Sequence, residues 1–269
     1  MVISIINNKG GVAKTTTTFM LGAYLANQGN RVLLIDFDAQ MNLTEKVGGL
    51  HKDVKVDYNI VDLLNGKRNP SFFTNEDGNL FTIMGTEDID VYFNINSDQD
   101  ENSEEYKRKR YSLRAYRELF LNNFDYVLID CQPRLLNKSL LTSNEVALLA
   151  SDYVIVPASP DKDSITGFQK VISSIKRIKP ENPGLKLLGL VFTIIGSREE
   201  IIYKQYKEAM AGSIGDLLFK SDIRRNTAMQ QALNLNSTIF NYSPNSISAE
   251  DYTNFGVEVV EKINKLKAL

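Results

Sequence analysis

Val2-Ile3-Ser4-Ile5-Ile6-Asn7-Asn8-Lys9-Gly10-Gly11-Val12-Ala13-Lys14-Thr15-Thr16 reads as a short apolar strand, a glycine-rich loop and the first turn of a helix. That order places free backbone N–H groups and the positive end of a helix dipole at the loop, the layout of a phosphate-binding loop. Gly10 and Gly11 lack a Cβ, so successive N–H groups can curl around an anion. Lys14 adds a point charge for β- and γ-phosphates, and Thr15 a hydroxyl suited to Mg²⁺. The candidate nucleotide-binding residues are therefore Lys9, Gly10, Gly11, Val12, Ala13, Lys14, Thr15 and Thr16.

Two further strands end in carboxylates. Arg31-Val32-Leu33-Leu34-Ile35 reads as a buried parallel strand and runs into Asp36-Phe37-Asp38-Ala39-Gln40-Met41-Asn42-Leu43-Thr44. Open α/β sheets bind ligands beyond the carboxyl ends of their strands, and alternation puts Asp36 and Asp38 on one face if the extended geometry persists. Tyr126-Val127-Leu128-Ile129 ends in Asp130-Cys131-Gln132-Pro133-Arg134. Asp130 suits a Mg²⁺-bound water opposite Thr15.

Taken together, the three segments resemble the deviant Walker A ATPases of the ParA/MinD family. The standard P-loop has glycines where this chain has Asn8 and Ala13. What it has instead is Lys9 ahead of the glycine pair, giving Lys-Gly-Gly-x-x-Lys-Thr. The resemblance implies that Lys9 reaches the nucleotide of a partner subunit in an ATP-sandwich homodimer. It makes Lys9, Lys14 and Asp38 the catalytic residues, with Asp38 orienting the attacking water. It assigns Mg²⁺ to Thr15, Asp36 and Asp130. The implied reaction is hydrolysis of ATP to ADP and phosphate, stimulated by a ParB-like DNA-binding partner.

The likeness covers nearly the whole chain, with departures. Ala39 stands for a usual proline, Gln132 and Arg134 break an Asp-x-Pro-Pro-small pattern, and Arg224 stands for proline in Ile223-Arg224-Arg225-Asn226. The resemblance further implies non-specific double-stranded DNA binding through Arg198 and Arg225, and the nearby Lys204 and Lys207 are candidates to supplement that patch. Ala228 occupies a position where some relatives carry another arginine.

Composition fits this reading. The 269 residues carry a net charge of −2, unevenly spread: residues 1–160 hold 16 Lys+Arg against 21 Asp+Glu, and residues 161–269 hold 15 against 12. A positive C-terminal part is what a DNA surface needs. Cys131 and His51 are the only cysteine and histidine, which excludes an intrachain disulfide and Cys/His zinc sites. The first strand starts at residue 2, so neither a signal peptide nor an N-terminal helix-turn-helix module is expected. A cytoplasmic, nucleoid-associated protein is expected.

The alternation of strands near 2–6, 31–36, 80–84, 125–130, 152–157 and 186–194 with helices near 14–28, 103–122, 139–150, 163–178, 198–211, 226–234 and 248–267 predicts an α/β fold. Its sheet is mostly parallel and twisted, with helices on both faces. A single P-loop ATPase domain over 1–269 is the simplest division, although length alone admits two. The polar segment 94–110 reads as a surface excursion leading into a helix. Val259, Val260, Ile263 and Leu266 recur at helical spacing with Lys262, Lys265 and Lys267 between them. That stripe is either an ordinary buried helix face or a MinD-like membrane-targeting helix, and membrane association is not expected. The functional reading is a ParA-like partition ATPase. The alternatives are a MinD-like positioning ATPase and a nucleotide-dependent metabolic enzyme on the same fold.

Overall fold

Every residue of Val2–Ile5, Val32–Phe37, Tyr126–Cys131 and Tyr153–Ala158 is buried, so neither face of these strands meets water. Such strands need helices on both sides, which parallel crossovers supply. The structure is a computed structural model, and it describes residues 1–48, 57–67, 72–74, 78–94, 102–134, 136, 140–196 and 200–268.

In chain order the elements are β1 (Val2–Ile5), α1 (Lys14–Asn27), β2 (Val32–Phe37), α2 (Asn42–Gly48), α3 (Ile60–Leu64), β3 (Phe73–Thr74), β4 (Leu80–Ile83), α4 (Ile89–Tyr92), α5 (Glu104–Arg110), α6 (Arg117–Asn123) and β5 (Tyr126–Cys131). Then follow α7 (Ser143–Ala150), β6 (Tyr153–Ala158), α8 (Lys162–Ile178), β7 (Lys186–Ile195), α9 (Glu200–Ile214), β8 (Leu218–Arg224), α10 (Thr227–Asn234), α11 (Ile239–Tyr242) and α12 (Ile247–Lys267). The strands form one sheet in the order β3-β4-β2-β5-β1-β6-β7-β8. Its neighbours pair in parallel, except that the short β3 runs antiparallel to β4 at one edge. This is the expected α/β architecture.

Strand alternation sorts the core into two layers. Val2, Leu33, Ile35, Val127 and Ile129 face a cluster with Val146 of α7 and Phe168 of α8. Ile3, Ile5, Leu34 and Leu128 face the other, with Phe19 and Met20 of α1 and Phe255 and Val259 of α12. The stripe weighed as a membrane anchor therefore lies in the core: Val259 and Ile263 are fully buried. Gly256 lets α12 approach α1, since a Cβ there would lie 2.1 Å from Tyr24 Cδ1. No described helix is long and apolar enough to cross a membrane.

Some expected boundaries shift. The helix read over 103–122 is two helices, α5 and α6, separated by a turn and a short 3₁₀ segment at Arg114–Tyr116. The ladder breaks where Ser112 Oγ donates to Lys109 O and Leu113 turns fully into the core. The expected helix starts at 139 and 198, and residues 95–101 of the polar excursion, lie outside the described residues. β8 was not anticipated. Only Leu218, Phe219 and Ile223 of it are buried. Its outer edge is covered by α12, whose Glu258 accepts from the N–H groups of Lys220 and Ser221, each at 2.8 Å, and whose Asp251 accepts from Arg224 N at 2.8 Å.

Candidate active site

β1 delivers the loop of residues 7–13 to the carboxyl end of the sheet, with β5 on one side and β6 on the other. Asn7 is fully buried and anchors the loop's start. Its Nδ2 donates to Pro157 O at 2.8 Å, and its Oδ1 accepts from Lys9 N at 3.1 Å. At the far end Thr193 Oγ1 of β7 donates to Val12 O at 3.1 Å. Sequence reasoning missed Thr193. It lies within β7 beside Ile194, which takes a positive φ of 58°. That conformation is an outlier for a β-branched side chain.

The loop is shaped for an anion. Gly11 has φ 73°, and a Cβ at Gly10 or Gly11 would meet nothing within 4 Å, so open space faces the loop. Ala13, where the standard pattern has glycine, adopts the left-handed conformation at φ 59° and costs about 1–2 kcal/mol of strain there. α1 starts with no side-chain cap and no acidic residue in its first turn. Its N-terminal N–H groups and dipole are thus available to negative charge. Lys14 is buried and donates to Lys9 O at 3.1 Å. Burial pushes its ammonium pKa down, against attraction by Asp130 and Asp38.

Asp36 and Asp130 are register partners on β2 and β5, and both are fully buried. Burial, assisted by repulsion from Asp36, raises the Asp130 carboxyl to about 8. Burial likewise raises Asp36 to about 6, against hydrogen bonds from Thr44. Carboxylates held this far from water are short of positive charge. Thr15 Oγ1 donates to Asp130 Oδ2 at 2.6 Å, so two of the three expected metal residues meet. Asp36 turns elsewhere: its Oδ2 accepts from Thr44 N at 2.8 Å and Thr44 Oγ1 at 2.7 Å, and its Oδ1 from Asp38 N at 3.3 Å. Thr44 Oγ1 in turn accepts from Gly85 N at 2.7 Å, tying the loop after β4 to the end of β2.

Among the described residues no three His, Cys, Asp or Glu side chains converge as a metal cage. Mg²⁺ does not need one: it characteristically keeps waters and takes one or two protein ligands plus substrate phosphates. Thr15 and Asp130 fit that requirement, and Mg²⁺ held there would neutralise and orient the phosphates. Asp38 is nearly buried, and its Oδ1 accepts from Gln40 N at 3.0 Å. Among the described residues no donor occupies its Oδ2, which leaves an acceptor for water. Lys9 Nζ pairs with Asp161, the N-cap of α8.

Of the expected DNA residues, Arg198 lies outside the described residues. Arg225 is exposed and has no ion-pair partner among the described residues. It lines a cleft of about 730 Å³ with Arg224, Asp222 and Tyr203, away from the phosphate loop. Arg224 is tied to Glu250 and Asp251. Lys207, expected to supplement the patch, is committed to Asp222.

A family model described as an AAA domain matches residues 1–187. The sporulation initiation inhibitor protein Soj of Bacillus subtilis is 32% identical over 268 residues, covering 96% of this chain and 97% of that protein. The chromosome-partitioning ATPase Soj of Treponema pallidum is 30% identical over 261 residues, with 96% of each covered. The chain belongs to the Soj/ParA family. Among solved structures, cobyrinic acid a,c-diamide synthase from Mycobacterium smegmatis with bound ADP and magnesium superposes with a TM-score of 0.77 at 26% identity, covering 98% of this chain and 95% of that one. The Soj/ParA relationship extends over β8 and α12 as well as the phosphate loop, since it runs nearly end to end.

Proposed function

We propose that this chain is a ParA-type partition ATPase of one domain, residues 1–269, which hydrolyses ATP to ADP and phosphate with Mg²⁺. The Thr15–Asp130 bond at the mouth of an uncapped, glycine-lined loop is the observation that carries the reading. Lys9, Lys14 and the segment Gly10–Thr16 hold the triphosphate. Thr15 and Asp130 hold the metal, and Asp36 supports them by fixing Thr44. Asp38 orients water. With Mg²⁺-ATP bound, two copies pair through Lys9, and the dimer binds double-stranded DNA without sequence preference. A ParB-type DNA-binding partner stimulates hydrolysis and release.

A membrane role finds no support in the C-terminal helix, whose stripe of Val259, Val260, Ile263 and Leu266 packs on the core. The likeness to a synthase shows that the fold also serves biosynthesis, so fold alone does not decide. What favours partition is relatives at 30–32% identity over nearly the full length.

DNA binding is expected to require the ATP state, because a dimer doubles a patch that is weak in one subunit. Affinity is expected to fall steeply with salt, as counterion release demands. Arg225→Glu should weaken retention of a random duplex at least tenfold at low salt while ATP binding stays unchanged. Filter binding across a salt series measures this. Equal retention of parent and Arg225→Glu would remove Arg225 from the interface, and ATP-dependent pelleting with anionic vesicles in place of DNA would replace partition with a membrane role.

A further inference from the structure

Gln132 lies two residues beyond Asp130 and is almost fully buried, so its carboxamide needs a partner. It finds one in Asp90 of α4: Nε2 donates to Oδ1 at 2.9 Å. Arg134 reaches the same carboxylate with two nitrogens, at 3.3 Å to Oδ1 and 3.2 Å to Oδ2. On the opposite side the fully buried Asn144 of α7 donates its Nδ2 to Gln132 O at 3.0 Å and also to Arg134 O. The segment after Asp130 is thus gripped by its side chains at Asp90 and by its main chain at Asn144.

Asp90 is itself firmly placed. Ile89 is fully buried, Tyr92 Oη donates to Leu64 O at 3.2 Å, and the loop leading into α4 is tied at Gly85 to Thr44 and so to Asp36. The two side chains that break the Asp-x-Pro-Pro-small pattern therefore converge on one carboxylate. Gln132 lacks the fixed φ that a proline would supply, and a hydrogen bond to an anchored anion restores a constraint at the same residue. The Arg134–Asp90 pair is more exposed and adds less by itself.

We propose that Asp90 is a positioning residue for ATP hydrolysis, acting through Gln132 and Arg134 to fix the segment that follows the metal carboxylate Asp130. The proposal rests on the ATPase reading above. Asp90 touches neither nucleotide-loop residues nor Asp130, so its loss should change the rate of the chemical step and leave binding intact.

The test is single-turnover ATP hydrolysis by the full chain, alongside titration of a fluorescent ATP analogue and the thermal midpoint. Asp90→Ala should lower the rate about tenfold, as slight misplacement of catalytic groups does. Its nucleotide affinity should stay within about twofold of the parent. Gln132→Glu, which sets two carboxylates face to face, should be equally slow. Asp90→Asn combined with Gln132→Glu keeps one donor and one acceptor with their roles exchanged, and it should recover the rate to within about threefold. A parent rate in Asp90→Ala would overturn the proposal, as would an exchange variant no faster than Gln132→Glu. Equal losses of rate and affinity would mark a merely structural role and overturn it too. Absence of turnover in the parent would overturn the ATPase reading together with this one, and the parent control shows which has failed.

Discussion

Lys9 Nζ lies 2.6 Å from Asp161 Oδ2 of its own chain. The lysine proposed to serve a second subunit is here held by a carboxylate 152 positions away. Asp161 Oδ1 also caps α8 through Ser164 N at 2.9 Å, so the anchor is rigid. In the proposed dimer, pairing would exchange this ion pair for a contact with the partner's nucleotide. Lys9→Ala should bind ATP yet neither dimerise nor hydrolyse it. Asp161→Asn should release Lys9 and favour ATP-dependent dimerisation by up to about fivefold for each pair released, the equivalent of a partly exposed pair worth up to about 1 kcal/mol. Sedimentation velocity with Mg²⁺-ATP measures both. An Asp161→Asn dimer weaker than the parent would show the pair supports the interface.

The same pair makes an acid-range prediction. Burial would raise the Asp161 carboxyl, but hydrogen bonds from Lys9, Ser159 and Ser164 outweigh it and hold the pKa at about 2, below the usual 3.8. A carboxyl depressed on folding stabilises above its unfolded pKa and loses that contribution as pH falls through its folded value. The stabilisation is therefore complete above about pH 4 and lost towards about pH 2. Asp161→Asn should flatten this part of the stability curve, seen by urea unfolding between pH 5 and pH 2. An unchanged slope would show that the group does not titrate there.

Lys14→Ala should abolish tight ATP binding, since it removes the buried ammonium of the phosphate loop. Thr15→Ala should chiefly weaken the Mg²⁺-dependent part, because it removes one of the two residues that meet at the metal position. Titration of a fluorescent ATP analogue with and without Mg²⁺ separates the two effects. Undiminished affinity in Lys14→Ala would sink the phosphate-loop assignment.

Asp38→Ala should keep nucleotide and lose turnover by roughly 10²-fold or more, the usual scale for a positioned acid–base group. The product of that loss is a persistent ATP dimer. Phosphate release under single turnover, with the oligomeric state measured in parallel, checks it. Normal hydrolysis would transfer the role to Asp36 or Asp130.

Gly256→Ala should destabilise the chain by about 1–3 kcal/mol, the range for overpacking a filled core. The added Cβ would fall 2.1, 2.5 and 2.7 Å from three carbons of the Tyr24 ring. Tyr24 lies on α1, the helix that carries Lys14, so ATP should partly restore the midpoint in thermal unfolding. A midpoint equal to the parent's would mean that α12 can shift at no cost.

The fold and the phosphate site were legible because both are written locally. A buried parallel strand is a run of apolar residues, and the loop signature occupies one short stretch. Thr15 and Asp130 could be paired in advance because each stands at a predictable point of its strand–loop–helix unit. Asp161 and Asp90 were missed because their partners are set by the packing of distant loops. A signal for Asp161 did exist, since it lies close to the carboxyl end of a strand, as Asp38 and Asp130 do. β8 escaped because an edge strand buries few residues: Lys220, Ser221 and Asp222 read as loop. The resemblance assigns Asp36 to metal, and spacing does not reveal that its carboxylate accepts from Thr44.

The acidic side chains of α12 along β8 bear on the kinds of assembly open to this protein. An uncovered outer strand invites another chain to extend the sheet, and head-to-tail repetition of that contact grows open-ended fibres. Glu258 and Asp251 already occupy amide groups that such a neighbour would use. At the opposite margin β3 offers only two residues. Stacking by sheet extension is therefore blocked at one end and poorly templated at the other. The proposed dimer uses the nucleotide face instead, where a two-fold arrangement would close on itself and stop at two subunits.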